Sequence, residues 1–232
     1  MAKKTILVTG ASKGIGFATA KHLAGNRKNH ILATARSGDK LQELKKTNPG
    51  RIDTVACDLL NSSNIQILVD YIRDNDLEIA TLIHNAGGLV KKPFIELTDD
   101  DWNAMWNTNV MSAVRLLRAL LPFIGKNAHF VTIGSMGGYQ GSAKFPELAA
   151  YSTSKGALSI WSECMSAELK QRKISVNCLC LGAVETEMFQ AAFPGVKAPL
   201  KPRDVAEYIG DFAVNGHKFM NGQVLPVALG NP

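Results

Sequence analysis

The sequence predicts an α/β domain in which helices cover both faces of a parallel sheet. Two observations carry this. Short β-branched and apolar runs alternate with longer amphipathic stretches along the whole chain. The short runs are continuously apolar, as strands buried on both faces must be. At 232 residues, 46% hydrophobic and 20% charged, the chain suits one large α/β domain or two small ones, with the composition of a soluble globular protein and enough length for a substantial core.

The first strand is "TILVTG" (5–10). Its apolar run is too short for a signal-peptide core or a membrane span, so the expected location is cytoplasmic. A helix follows over 14–25 and stops at Gly25. "HILATAR" (30–36) leads into a helix over 38–47, and "IDTVAC" (52–57) into one over 61–75, capped by "NSS". "EIATLIHN" (78–85) precedes a long helix over 99–121 that Pro122 closes. "AHFVTIG" (128–134) is followed by a helix over 149–172. "ISVNCLCLG" (174–182), a helix over 203–213 and "GQVLPVAL" (222–229) complete the chain. Two segments break the alternation, 136–148 and 187–202. Both follow a strand and are rich in Gly, Pro, Phe and Ala. Ligands bind at the carboxyl ends of such strands, so these segments read as lids over a site.

The net charge of +6 is dispersed, with short clusters at 3–4, 91–92 and 170–173. Aromatic residues do not interleave with them, which argues against nucleic-acid binding. Cys57, Cys178 and Cys180 lie in apolar strand-like runs and Cys164 in a helix-like one. None has a zinc-ligand spacing, so all four read as reduced packing residues and no metal is expected.

"TGASKGIG" (9–16) joins the first strand to the first helix. Glycines let backbone approach a pyrophosphate, and the helix N-terminus offers free N–H groups and the positive dipole end. In dinucleotide folds that bind NAD, an acid about 20 residues later takes the ribose 2′-hydroxyl. Here that position holds Arg36, whose guanidinium suits a 2′-phosphate, and Lys13 adds a second cation. The pattern points to NADP(H). Asp39, the nearest acid, starts the next helix. Asp58 is placed to accept from an adenine amino group or to precede the cap at Asn61. "HNAGG" (84–88) puts a small-residue turn where the cofactor would cross the sheet.

The stretch "YSTSK" sets Tyr151 and Lys155 one helical turn apart in a run of small and apolar residues. An ammonium ~4 Å from a phenolate is worth about 4 kcal/mol at an effective dielectric near 20, or roughly three pK units. The spacing therefore predicts a phenol drawn toward neutrality and able to exchange a proton.

Taken together and in order, "TGASKGIG", "NAG", Asn109, Ser135, "YSTSK" and "GAVET" make the chain resemble the short-chain dehydrogenase/reductase family over nearly its full length. The resemblance implies one NADP-binding doubly wound (Rossmann) α/β domain over 1–232, with seven parallel strands in the order 3-2-1-4-5-6-7. It places Gly10, Ser12, Gly14, Ile15 and Gly16 around the pyrophosphate and adenosine ribose, with Lys13 and Arg36 on the 2′-phosphate. Asp58 and Leu59 would meet the adenine, Asn85, Ala86 and Gly87 the middle of the cofactor, and Val184 and Thr186 the nicotinamide carboxamide. Tyr151 would be the general acid/base. Lys155 would lower its pKa and hold the nicotinamide ribose. Ser135 would bind the substrate carbonyl, and Asn109 would anchor a relay water. Three departures stand out: His84 where the family usually has Asn, Leu181 where it has Pro, and a Ser135-to-Tyr151 spacing longer than usual. Leu181 predicts a looser turn under the nicotinamide, and the spacing an enlarged loop over the substrate.

The implied activity is reversible NADP(H)-dependent reduction of a ketone or aldehyde to an alcohol. A narrower alternative is a 3-oxoacyl-carrier-protein reductase, whose acidic carrier would suit Arg115, Arg118, Arg172 and Lys173. An alternative of another class is a non-catalytic NADP-binding regulator, against which the intact Asn–Ser–Tyr–Lys set argues. Phe145, Phe189 and Phe193 in the two lids imply an apolar pocket. The family also implies a homodimer or homotetramer built on the two long helices.

Overall fold

A computed structural model describes residues 2–230. Seven parallel strands form one sheet in the order β3-β2-β1-β4-β5-β6-β7. They span Lys3–Thr9 (β1), Ile31–Ala35 (β2), Ile52–Ala56 (β3), Leu77–His84 (β4), Ile124–Ser135 (β5), Ser175–Leu181 (β6) and Val224–Val227 (β7). The helices are Gly14–Gly25 (α1), Gly38–Thr47 (α2), Ser62–Asp74 (α3), Asp99–Trp106 (α4), Ser112–Leu120 (α5), Ala149–Glu168 (α6), Glu187–Ala192 (α7) and Pro202–Asn215 (α8). The chain order reverses between β1 and β4, which opens a crevice at the carboxyl ends of those strands.

Strand alternation sorts the apolar side chains into two layers. Ile6, Val8, Ile31, Ile83 and Val131 face α1, α2 and α8 through Leu23, Leu41, Val205 and Ile209. Leu7, Leu32, Leu82 and Phe130 face α3 and α5 through Leu68, Ile72, Leu116 and Leu120. Each such side chain contributes about 1.5–3 kcal/mol by leaving water. A charge at Leu7, which is fully buried, would strand that charge between sheet and helices.

Three features differ from the sequence expectation. The predicted helix over 99–121 is interrupted. Between α4 and α5, residues Asn107–Met111 form a π-helical turn, and a 3-10 turn at Leu121–Phe123 holds Pro122. The π turn displaces the register by one residue and carries Asn109 inward, where it is fully buried. The predicted helix over 149–172 ends at Glu168. It continues as a 3-10 turn to Arg172, and Lys173 stops it in the left-handed region at φ +58°. The segment 187–202 is less irregular than a loop, since it begins with α7 and ends on Pro202, the first residue of α8.

Leu181 does not loosen the turn after β6. Its side chain is buried in the core. The strand pairs Leu181 with Ser135 on one side and Val227 on the other, and the Gly182 amide donates to the Val227 carbonyl at 3.0 Å. The sheet supplies the restraint that a proline would have.

Candidate active site

The carboxyl ends of β1 to β6 open on one cavity of about 690 Å³. Its floor is the glycine turn. Gly10 has φ +65°, a region that a Cβ disfavours, and a Cβ there would lie 2.9 Å from Ala86 Cα. A Cβ on Gly16 would lie 2.4 Å from the Gly10 carbonyl oxygen. The Asn85 side chain clasps the turn from the other side, donating to the Thr9 and Gly10 carbonyls at 3.2 and 3.3 Å. Helix α1 starts at Gly14 with no side-chain cap and no acid in its first turn. Its amides and positive dipole end are therefore left for an anion, as a pyrophosphate requires.

His84 extends this bracing with a defined direction of hydrogen bonds. Thr9 Oγ1 accepts from the Asn85 and Ala86 amides at 3.1 and 3.0 Å, so its own proton points to His84 Nδ1 at 3.4 Å. The ring then carries its proton on Nε2 and donates to Ser112 Oγ at 3.1 Å. Ser112 passes its proton to the Thr108 carbonyl at 2.6 Å. The ring is completely buried. Burial first, and then the Lys155 charge, pushes its pKa down to about 3, so it is neutral. His84 thus ties the glycine turn to the π turn.

The far end of the cavity carries cations. Arg36, at the end of β2, and Lys40, in the first turn of α2, both line it beside Asp58 and Leu59. Asp58 also braces its own turn, accepting from the Leu60 amide at 3.0 Å and the Asn61 amide at 3.0 Å. Lys13, expected to share in phosphate binding, is turned to Glu187 of α7 at 2.5 Å. Lys40 and Glu187 were not anticipated from the sequence. A lysine in a helix's first turn opposes the dipole, and that was the available signal for Lys40. Nothing in the sequence pairs Glu187 with a residue 174 positions away.

The opposite end holds the hydroxyl groups. Ser135 closes β5, and its oxygen accepts from the Gly137 amide at 3.2 Å. The Ser135 hydroxyl lies near enough to the Tyr151 phenol to favour its ionised form. Gly138 lets this segment lie against α6, for a Cβ there would sit 2.4 Å from the Gly156 nitrogen. Ser142 is directed away: its hydroxyl donates to the Met136 carbonyl, contacts the Tyr139 carbonyl at 2.9 Å and receives Lys144 Nζ at 2.6 Å. Lys155, 5% exposed, donates to the Ile133 carbonyl at 2.8 Å.

The electrostatics differ from the expected tuning. Burial raises the Tyr151 pKa, the Ser135 hydrogen bond opposes it, and nearby Cys180 adds to it. Lys155 is itself pushed down to about 8, because burial penalises the ammonium. The ammonium is directed to the Ile133 carbonyl, and burial decides the sign at the phenol. The raised pKa keeps the Tyr151 phenol protonated at neutral pH.

Asn109 lies behind the cavity wall. Its Oδ1 accepts from the Gly88 amide at 2.8 Å, while Nδ2 donates to the Gly88 carbonyl at 3.1 Å and Ser154 Oγ at 2.9 Å. Both amide hydrogens are committed to protein groups, so the side chain positions the loop after β4 and does not anchor a water through them. Gly16 also lies beneath the surface. Gly10, Ser12, Gly14, Ile15, Asn85, Ala86, Gly87, Val184 and Thr186 all face the cavity. Val184 is held by a bridge to Leu200, and Thr186 caps α7 by accepting from the Phe189 amide at 3.1 Å.

The segments 136–148 and 187–202 both contribute aromatic rings to the cavity. Phe145, Phe189 and Phe193 line it. Lys91 Nζ sits 4.8 Å from the Phe193 ring centroid and pairs with Glu147 at 3.2 Å, linking both lids to the loop after β4. The cysteines are all free thiols; Cys57, Cys178 and Cys180 are buried and Cys164 is exposed. Among the described residues no cluster of three or more His, Cys, Asp or Glu could hold a metal, and no helix is long and apolar enough to cross a membrane.

The family model described as short chain dehydrogenase matches residues 4–197. The chain is similar to a fatty acyl-CoA reductase of Acinetobacter baylyi, 33% identical over 214 residues, covering 89% of this chain and 71% of that protein. It is 31% identical to the 3-oxoacyl-[acyl-carrier-protein] reductase of Escherichia coli over 190 residues, covering 81% and 76%. A short chain dehydrogenase from Burkholderia cenocepacia, solved in complex with NADP, superposes with a TM-score of 0.88 at 25% identity, covering 99% and 98%.

Proposed function

The chain belongs to the short chain dehydrogenase family of oxidoreductases and takes NADP(H), and on that premise we propose that it reduces a carbonyl to an alcohol with Tyr151 as the proton donor. The observation that carries this is one cavity lined by Ser135, Tyr151 and Lys155 and also by Arg36 and Lys40. The bare N-terminus of α1 lies between them. These residues fit NADP(H): the α1 amides suit the pyrophosphate, the cations the 2′-phosphate, and the apolar walls the rings. Bound as NADPH, the cofactor would supply the hydride.

The chain's own groups do the rest. Ser135 donates to the carbonyl oxygen and stabilises the charge that develops there. Tyr151, held protonated by burial, transfers its proton to that oxygen. Lys155 stands behind the phenol on the Ile133 carbonyl, where its charge offsets the phenolate left after transfer. The raised phenol suits reduction better than oxidation, because the oxidative direction needs the phenolate. We read residues 1–232 as one such domain, acting in the cytoplasm. We read the half-exposed Trp106 and the exposed Ile160, on α4 and α6, as part of a homodimer or homotetramer face, which light scattering would test.

One narrower reading has support, reduction of 3-oxoacyl thioesters. The Escherichia coli relative carries that name, and Phe145, Phe189 and Phe193 give the lids an apolar lining for an acyl chain. Two of the cations expected to meet an acidic carrier are otherwise engaged. Arg115 bonds Asn107 Oδ1 at 3.2 Å, and Arg172 bonds the Leu121 carbonyl at 3.1 Å. The test is NADPH consumption over a panel of ketones, aldehydes and 3-oxoacyl thioesters. Turnover confined to thioesters selects the narrower reading. No turnover on any carbonyl contradicts the reductase reading and favours a regulator.

A further inference from the structure

Three cations stand at the adenosine end of the cavity, and they are not equivalent. Among the described residues Arg36 and Lys40 have no hydrogen-bonded or ion-paired side-chain partner. Lys13, the N-cap of α1, is held by Glu187. Glu187 is the first residue of α7, and the residue before it, Thr186, lies over the glycine turn: a Cβ added to Gly14 would be 3.4 Å from Thr186 Cγ2. The carboxylate is therefore seated above the phosphate-binding turn. The Lys13 hydrogen bond first, then the Lys13 and Lys40 charges, hold Glu187 below the usual carboxylate range.

We propose that Lys40 reads the 2′-phosphate of NADP(H) together with Arg36, and that Glu187 is an internal competitor of that phosphate for Lys13. This rests on the cofactor reading above. A dianionic phosphate ester offers Lys13 two charges where Glu187 offers one, so its arrival exchanges partners and frees the carboxylate. A 2′-hydroxyl has nothing to exchange. The cofactor's preference is then set by three cations and one lid carboxylate. The Lys13–Glu187 pair is half-exposed on both sides, so the expected effect is modest, roughly two- to fivefold at low ionic strength and less in salt.

The anion could instead be the pyrophosphate, which both cofactors carry, and the assay separates the two. Dissociation constants for NADPH and NADH are measured by fluorescence titration, with 2′-AMP and ADP as displacing probes. The proteins are wild type, Glu187→Gln, Lys40→Gln, Lys13→Gln and the Lys13→Gln/Glu187→Gln double variant, each checked for native circular dichroism. Glu187→Gln is expected to tighten NADPH and 2′-AMP by roughly two- to fivefold and leave NADH and ADP unchanged. Lys40→Gln weakens NADPH alone, and Glu187→Gln has no effect once Lys13 is Gln. Equal shifts for both cofactors, weaker NADPH binding by Glu187→Gln, or an effect that survives in the Lys13→Gln background would overturn the inference while leaving the cofactor reading intact. A wild type that binds NADH as tightly as NADPH would overturn both.

Discussion

Replacing His84 by Asn gives a pH-dependent test of the brace under the cofactor. Asn keeps one donor and one acceptor but is shorter, so the 3.4 and 3.1 Å contacts to Thr9 and Ser112 cannot both be kept without movement. Leaving one buried polar group unsatisfied costs about 1–3 kcal/mol near neutral pH. The sign of the pH dependence follows from linkage. The native His84 pKa is depressed to about 3, whereas an unfolded histidine titrates near ~6.5. Its stabilisation is therefore complete above that unfolded value and is lost as pH falls toward about 3, since only the unfolded chain takes the proton. One proton gives a slope of at most about 1.4 kcal/mol per pH unit. His129 is depressed as well, to about 4, but it is present in both proteins and cancels in the difference. Urea unfolding of wild type and His84→Asn at several pH values between 4 and 7 reads the result. The stability gap should shrink, and then reverse, as the buffer is acidified. Parallel curves would mean that His84 is not held neutral, and would refute the directed chain from Thr9 to Thr108.

Other substitutions probe the remaining parts of the site. Ser135→Ala should lower kcat by about a hundredfold or more, as for a lost oxyanion donor, whereas Ser142→Ala should alter KM or nothing; steady-state kinetics would show the reverse if the longer loop supplied the working hydroxyl. Arg36→Asp should weaken NADPH by on the order of 1.5–3 kcal/mol and favour NADH, and titration of both cofactors checks it. Gly16→Ala should abolish cofactor binding and destabilise the fold, because its methyl would meet the Gly10 carbonyl at 2.4 Å; a thermal melt unchanged from wild type would contradict the packing described.

Much of this fold was legible because most strands contain a continuous apolar run and several helices carry a start or stop signal, such as Asn61, whose side chain accepts from the Ser63 and Asn64 amides. The glycine turn, Arg36 and the Tyr151–Lys155 pair, all on the cavity, could be singled out from local spacing, whereas Ser135 came from the family resemblance. What escaped the sequence depends on distant partners. The π turn around Asn109 has no periodicity of its own, for the apolar stripe runs on from α4 into α5. Strand β5 begins four residues before its apolar run, at Ile124, because Ile79 of β4 pairs with that residue across a register shift. The sign of the Tyr151 shift was misjudged for the same reason. Spacing reports that Lys155 is near, but not that its ammonium is held by Ile133. Glu187 reached the cofactor site only through the path of the chain after β6.

The central claim, that Tyr151 is the proton donor of an NADPH-dependent carbonyl reduction, is tested most directly by single-turnover kinetics of Tyr151→Phe with NADPH and a carbonyl that the wild type reduces. The phenyl ring keeps the packing and removes only the proton, so NADPH should bind with nearly wild-type affinity while its oxidation falls by roughly 10²–10⁴-fold, the usual range for general acid catalysis. Oxidation of NADPH by the variant at close to the wild-type rate would show that the proton comes from elsewhere and would contradict the account.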